Sequence, residues 1–174
     1  MTSTTQLSSL KSFLEAQAAL MRQIHPNPDW KYGGFEELVL DCGSFMEAKP
    51  LPPTIKHGSP KKCYWNCHNL VYKRKNLIYV EGYAIAPQVS MPIAHAWLLN
   101  SEGEAIDPTW EVPGVAYLGV PLSTKWIEEF LASRKKVTKT EDFSIFGGNH
   151  LEKYSLLRQG LPSAACATPV SKQR

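Results

Sequence analysis

The sequence has little net charge, few cysteines and no long apolar run. Its formal net charge of +3 is too small to indicate a nucleic-acid partner. No stretch approaches the roughly 20 consecutive apolar residues needed to span a bilayer, so we expect no membrane partner. Four cysteines at irregular spacing are not typical of a disulfide scaffold in a chain of 174 residues. The N-terminal residues also lack the pattern of a secretory signal, so we expect a cytoplasmic protein in which a reactive thiol stays reduced.

The rest of the composition is typical of a globular protein, with 43% hydrophobic and 20% charged residues. A chain of this length suits one domain with a real hydrophobic core. We expect that domain to cover residues 1–160. The small and polar residues 161–174 predict a flexible C-terminal tail.

Hydrophobic periodicity predicts helices first, then a run of adjacent strands, then helices again. Residues 35–46 fit either a helix or a strand, and a helix is favoured. The basic residues 134–139 predict a solvated loop. Helices are predicted over residues 6–24, 35–46, 60–73 and 151–158 and after the cap Ser123-Thr124, and strands over residues 77–86, 92–110 (a hairpin) and 115–121. This order predicts an α+β fold in which N-terminal helices pack on an antiparallel sheet.

Residues 92–110, with the sequence PIAHAWLLNSEGEAIDPTW, carry the first candidate site. Two apolar runs flank a polar turn, which is typical of a β-hairpin. A loop that ends at Gly103, in the left-handed conformation glycine tolerates, would contain three residues. An odd-length loop places odd-numbered residues opposite odd-numbered ones, so His95 and Asp107 share a face and lie opposite or one diagonal step apart. Because a carboxylate at that distance can orient an imidazole, the hairpin predicts two members of a catalytic triad.

Cys63 is the candidate nucleophile for this pair. It would lie in the first turn of the helix predicted over residues 60–73, directly after two lysines. The helix dipole and these cations favour the thiolate, which is the nucleophilic form of cysteine. Cys67 lies one turn deeper and is predicted to be a small core residue. Cys42 and Cys166 are given no role.

Spacing alone leaves two other interpretations open. A cysteine in a helix is more often buried filler than a nucleophile, and a histidine on an apolar face can be a hydrogen-bonded core residue. Cys63, Cys67 and His68 also form a C-x3-C-H motif. Structural zinc sites need four ligands, however, and no second pair follows this one, so we expect no metal.

A set of short motifs resembles the transglutaminase-like cysteine-enzyme superfamily. The set consists of Cys63, the sequence YVEGY at residues 79–83, HAW at 95–97 and DPT at 107–109. The resemblance implies a transglutaminase-like core with Cys63 as nucleophile at a helix N-terminus, His95 as general base and Asp107 as its orienting residue. The segment between the cysteine and the Gly-Tyr strand is shorter than in the superfamily, which implies a curtailed helix.

The activity implied by the resemblance is that of a small cysteine hydrolase or acyltransferase acting on an amide or acyl bond, as in a protease, a deamidase or a transamidase. The expected partner is a peptide, a protein or a small acyl donor, and no cofactor is expected. The alternative is a catalytically silent interaction module that retains the fold. The oligomeric state and the choice between hydrolysis and transfer stay undetermined.

Three further residues are candidates for secondary roles in the site, and a fourth, Glu81, is notable for its position. Trp97 and Trp110 could wall a substrate groove, although core packing is the commoner role for such rings. Asn66 is a candidate for substrate contact, and Asn66, Trp65 and an upstream residue are alternative candidates for a second oxyanion donor beside the Cys63 N–H. Glu81 lies within an apolar strand, and we expect it to face solvent because burying a carboxylate is costly.

Overall fold

The computed structural model describes residues 3–167 and has the α+β architecture that the order of elements predicted. Its helices are α1 (Ser3–Ile24), α2 (Phe35–Cys42), α3 (Cys63–Lys73), α4 (Thr124–Thr138) and α5 (Ser155–Gln159). Its strands are β1 (Ser44–Met46), β2 (Ala48–Lys49), β3 (Ile78–Ile85), β4 (Ile93–Leu99), β5 (Ala105–Ile106) and β6 (Ala116–Leu122). Short 3-10 helices cover Gly147–Glu152 and Ser163–Ala165. Among the described residues, no helix has both the length and the apolar character required to cross a membrane.

The six strands form one mixed sheet in the order β1-β6-β3-β4-β5-β2. Neighbouring strands are antiparallel except β2 and β5, which run parallel, so the prediction of an antiparallel sheet was wrong at this edge. The two edge strands β1 and β2 are separated in the chain by Glu47 alone. This short connection requires the sheet to curve until its edges approach each other, and the sheet is nearly barrel-like.

The two faces of the curved sheet have different cores, because successive strand residues point to opposite sides. On β4, Ala96 and Leu98 belong to the larger core, which also contains buried residues of α1, α2, α3 and α4. Trp97 and Leu99 belong to a second core of strand residues, against which Trp110, just beyond β5, also packs. The helices therefore cover one face, and the second core fills the side that the curved sheet encloses.

The N-terminal part of the chain largely follows its predicted helices. Leu10, Leu14 and Ala18 recur at helical spacing and are buried, which explains why α1 packs on the domain. α2 forms where a helix was favoured but ends at Cys42, and residues 44–46 are the strand β1 instead. Gly43, whose N–H bonds to the Val39 carbonyl, separates the two elements.

α3 begins three residues later than predicted. Lys61 has a positive φ of 62°, a conformation that cannot continue a right-handed helix. The helix therefore starts at Cys63, directly after Lys62, and not at Pro60. The error leaves Cys63 even closer to the N-terminus of the helix than its sequence position predicted.

The prediction of a solvated loop at residues 134–139 was wrong. α4 continues to Thr138, and the side chain of Arg134 is buried. Its guanidinium donates hydrogen bonds to both carboxylate oxygens of Glu152 and to three backbone carbonyls, those of Asp142, Ser144 and Ile145. A buried arginine is stable only with such partners, and these lie in a segment that a local charge pattern cannot identify.

The C-terminal region has shorter helices than the sequence predicted and is more closely packed. The helix predicted at residues 151–158 is divided between the first 3-10 helix and α5. Ala165 is buried, its carbonyl accepts the Ser123 N–H, and Cys166 pairs with Leu122 of β6. Residues 161–167 are therefore held against the β6–α4 junction, in contrast to the flexible tail expected there, and residues 168–174 lie outside the described residues.

Candidate active site

The hairpin of β4 and β5 has the register that residue alternation predicted. Gly103 has a φ of 79°, Leu99 pairs with Ala105, and the Asn100 N–H bonds to the Glu104 carbonyl, which leaves a loop of residues 101–103. If this pairing is continued past β5, His95 and Asp107 are one diagonal step apart on the same face. Nε2 of His95 lies 2.7 Å from Oδ2 of Asp107, and both side chains are 3% or less exposed.

Asp107 accepts four hydrogen bonds, two on each carboxylate oxygen. Oδ1 accepts from the backbone N–H groups of Thr109 and Trp110, which closes the turn after β5. Oδ2 accepts from His95 Nε2 and from the hydroxyl of Tyr117. Sequence reasoning missed Tyr117, because a tyrosine inside a strand is ordinary and its distance from Asp107 depends on the curvature of the sheet.

Cys63 is the first residue of α3 and is buried against the same histidine. The His95 ring forms hydrogen bonds with both Asp107 and Cys63. Because Nε2 faces Asp107, Nδ1 is the ring nitrogen available to the thiol. The residues predicted as nucleophile, base and orienting group are thus brought together in one hydrogen-bonded series, the arrangement that activates a thiol.

The N-terminus of α3 presents backbone donors beside Cys63. The first helical hydrogen bond runs from the Asn66 N–H to the Lys62 carbonyl. The N–H groups of Cys63, Tyr64 and Trp65 therefore have no acceptor within the helix. Such donors suit an oxyanion, and the positive end of the helix dipole adds to the effect.

The side chain of Asn66 is fully engaged within the protein. Its amide nitrogen donates to the Ser59 carbonyl and to the Thr109 hydroxyl, and its oxygen accepts the Ser59 N–H. A Cβ at Gly58 would lie 2.3 Å from this side chain, so the close approach requires glycine. Asn66 therefore joins the loop before the nucleophile to the turn after Asp107, and its amide is not free for the oxyanion or substrate contact that the sequence suggested.

The pKa of His95 is raised from 6.5 to about 9. Burial alone lowers this pKa, because it disfavours the charged ring, but the hydrogen bonds to Asp107 and Cys63 outweigh burial. His95 is therefore protonated at neutral pH and faces a carboxylate on one side and the thiol on the other.

The two tryptophans near His95 differ in position. Trp110 is partly exposed, and its indole stacks on the His95 imidazole with 4.0 Å between ring centroids and 7° between planes. Trp97 is completely buried, and its Nε1 donates to the sulfur of Met46. The proposal that Trp97 lines a substrate groove was therefore wrong, whereas Trp110 covers one face of the candidate base.

Glu81 is buried on the face of the sheet that points away from His95, so the expectation that it faces solvent was also wrong. Its carboxylate accepts hydrogen bonds from the hydroxyls of Tyr79 and Ser144 and from the N–H groups of Ile145 and Phe146. Burial raises the pKa of Glu81, and these bonds oppose that rise. Glu81 thus fixes the amides of a segment whose carbonyls are bound by Arg134.

The residues just before and within this segment form one wall of a groove at the N-terminal end of α3. The groove has a volume of about 350 Å³ and is lined by Lys62, Tyr64 and Trp65 on one side and residues 140–143 on the other. Trp65 is 45% exposed, and its ring meets the edge of Phe143 at a centroid distance of 4.8 Å. Lys62 and Tyr64 flank Cys63 in sequence, so the groove runs along the N-terminal turn of α3.

Residues 3–167 contain no group of three or more His, Cys, Asp or Glu side chains placed to hold a metal ion. Cys67, a member of the C-x3-C-H motif, is buried in the helix-side core as predicted. His68 is also buried and bonds through Nε2 to the Phe143 carbonyl.

No protein-family model, no curated protein and no solved structure matches this chain. The chemistry of the site therefore has to be argued from its own geometry.

Proposed function

We propose that this protein is a cysteine-dependent hydrolase or acyltransferase that acts on an amide or acyl bond. The observation that carries the proposal is the buried hydrogen-bonded series of Cys63, His95 and Asp107. A transglutaminase-like core, with the thiol at a helix N-terminus and the other two residues on adjoining strands, is part of the same proposal. The position of Cys63 at the start of α3 and the hairpin register support it.

In the first step, the sulfur of Cys63 attacks the carbonyl carbon of the substrate, and the thiol proton resides on His95. The negative charge that develops on the carbonyl oxygen is stabilised by the free N–H groups at the start of α3. His95 then gives its proton to the leaving amine, and the carbon–nitrogen bond breaks to leave a thioester. Asp107 orients the imidazole and stabilises its positive charge throughout.

In the second step, an acceptor attacks the thioester and returns the thiol. Water as acceptor gives hydrolysis, and an amine gives transamidation. The groove beside α3 is the site we assign to the substrate, which is a peptide, a protein segment or a small acyl donor. Its exposed Trp65 offers an aromatic surface next to the nucleophile.

Selective alkylation tests the thiol chemistry without knowledge of the substrate. Iodoacetamide should modify Cys63 below pH 8 faster than the other three cysteines, as measured by peptide mass spectrometry. His95→Ala should remove that advantage, whereas His150→Ala, which changes an exposed histidine, should not. Uniformly slow alkylation of all four cysteines would reject the enzyme proposal in favour of a silent interaction module.

An acyl-donor screen then identifies the bond that is cleaved. Native protein and Cys63→Ala are incubated with peptide, glutamine and thioester donors, and adducts are sought by mass spectrometry. We expect a covalent adduct on Cys63 of the native protein alone. Absence of a Cys63 adduct with every donor class would contradict acyl transfer through this residue.

A further inference from the structure

The hydroxyl of Tyr117 belongs to a hydrogen-bond chain that ends on His95. It accepts the Gly114 N–H over 2.7 Å and donates to Oδ2 of Asp107 over 3.1 Å. Oδ2 of Asp107 also accepts Nε2–H of His95 over 2.7 Å. One carboxylate oxygen therefore receives two donors, and a backbone amide orients the second of them.

We infer that Tyr117 is a positioning residue of the thiol site, because its hydroxyl fixes the Asp107 oxygen that orients the His95 ring. The inference rests on the proposed function for the roles of Cys63 and His95.

Tyr117 supplies a constraint that no other residue between positions 3 and 167 supplies. Two backbone amides hold Oδ1 of Asp107, but within that range Oδ2 has only His95 and Tyr117 as donors. Without the hydroxyl, the oxygen that orients the imidazole would be held by the imidazole alone. The turn would keep its shape while the carboxylate lost its second anchor.

Packing does not explain the hydroxyl. The ring of Tyr117 is 1% exposed and packs against Trp97 at a centroid distance of 5.0 Å. Phenylalanine would fill the same space and keep this contact. A buried hydroxyl is costly unless it is hydrogen-bonded, and here it accepts the Gly114 N–H and donates to the carboxylate that binds the candidate base.

The hydroxyl also affects the charge that His95 experiences. The titratable groups that contact the His95 ring are Cys63 on α3 and Asp107 after β5, and β3 places Gly82 opposite it. A donor on Oδ2 draws negative charge away from the imidazole. Removing that donor strengthens the attraction of Asp107 for the protonated ring, so the pKa of His95 should rise further.

The test compares Tyr117→Phe with Tyr79→Phe. Tyr79 is a matched control, because it is also buried and donates over 2.8 Å to a buried carboxylate, that of Glu81, on the other face of the sheet. NMR titration of the His95 imidazole should give a higher midpoint in Tyr117→Phe and an unchanged midpoint in Tyr79→Phe. Iodoacetamide alkylation of Cys63 should slow by about tenfold or more in Tyr117→Phe alone, because the imidazole loses its fixed orientation toward the thiol and one hydrogen bond to a charged group is worth at least that factor. An unchanged or lower His95 midpoint in folded Tyr117→Phe would overturn the inference.

A second measurement keeps the inference testable if Tyr117→Phe does not fold. Biosynthetic 3-fluorotyrosine is a stronger donor than tyrosine, so labelling the native chain should lower the His95 midpoint. A midpoint that labelling leaves in place would overturn the inference. These midpoints need no substrate and no reaction at Cys63, so slow alkylation of Cys63 in the native protein would count against the proposed function alone.

Discussion

The indole of Trp110 lies flat on the imidazole of His95, with 4.0 Å between the ring centroids and 7° between the planes. A protonated imidazole in this position interacts favourably with the indole face. It also accepts an electron from the excited indole and therefore quenches its fluorescence.

Because His95 has a pKa of about 9, we expect the intrinsic fluorescence to rise as the pH passes through that value. Trp110→Phe should remove most of this rise and lower the His95 midpoint, because phenylalanine is a weaker partner for a cation. Trp126→Phe is the control, since Trp126 stacks on Phe130 instead. A fluorescence rise that survives in Trp110→Phe would contradict the stacking.

The second prediction concerns stability at alkaline pH. The pKa of His95 is raised from 6.5 in the unfolded chain to about 9 in the fold, so the protonated ring stabilises the native state below pH 6.5. This contribution, on the order of 3 kcal/mol, should be lost as the pH rises from 6.5 through about 9.

Asp107→Asn should lower the His95 pKa, because burial remains while the carboxylate charge is removed. Urea unfolding at pH 6 and pH 9.5 should then show that the free energy of unfolding falls less with pH in the variant than in the native protein. Equal losses in the two proteins would argue against the buried ion pair.

The third prediction concerns the buried carboxylate of Glu81. Each of its oxygens accepts two hydrogen bonds, so the amide nitrogen of Glu81→Gln would face two donors. We expect Glu81→Gln to lower the free energy of unfolding by about 3 kcal/mol or more, since buried donors lose a charged acceptor. Glu111→Gln, at an exposed position, should change it by no more than about 0.5 kcal/mol. Similar unfolding free energies for the two variants would show that Glu81 does not hold the segment.

The fourth prediction concerns stability at acid pH. Burial lowers the pKa of His68 from 6.5 to about 4, and its Nδ1 atom has no hydrogen-bond partner in the described part of the chain. A histidine whose folded pKa is depressed stabilises the fold above pH 6.5, and this contribution is lost as the pH falls toward about 4.

Between pH 7.5 and pH 4.5, the free energy of unfolding of the native protein should therefore fall by about 2 to 3 kcal/mol more than that of His68→Gln. Glutamine does not titrate and can still donate to the Phe143 carbonyl. His150→Gln, an exposed position, should behave like the native protein in the same urea titrations. A native protein as acid-resistant as His68→Gln would contradict a neutral, buried His68.

The sequence predicted the elements and residue pairs that depend on local rules. Strand alternation and the conformation of Gly103 are short-range properties, so the common face of His95 and Asp107 followed from counting residues. Cys63 was predicted near the start of a helix, and that position holds although the predicted helix boundary was wrong by three residues. Such predictions hold because the backbone of one element determines them.

The errors share one physical cause, which is that a local pattern does not reveal what covers a side chain. Glu81 and Arg134 were expected in solvent, but they bind the amides and carbonyls of the segment around residues 142–146. Trp97 was considered for substrate binding, but the curved sheet encloses it. Asn66 was considered for an oxyanion or substrate contact, but its amide is hydrogen-bonded to the backbone of Ser59.

The sequence by itself determined the order of Cys63, His95 and Asp107, the elements that carry them and the face on which the last two meet. Only the tertiary structure decided that the His95 ring contacts Cys63, that Tyr117 anchors Asp107, and that Glu81 is buried 63 residues away from its partner Ser144 in the chain. The physical reason is that strand alternation is a property of neighbouring residues. The curvature that brings β6 and α3 to the same carboxylate–imidazole pair depends instead on the closure of the whole sheet.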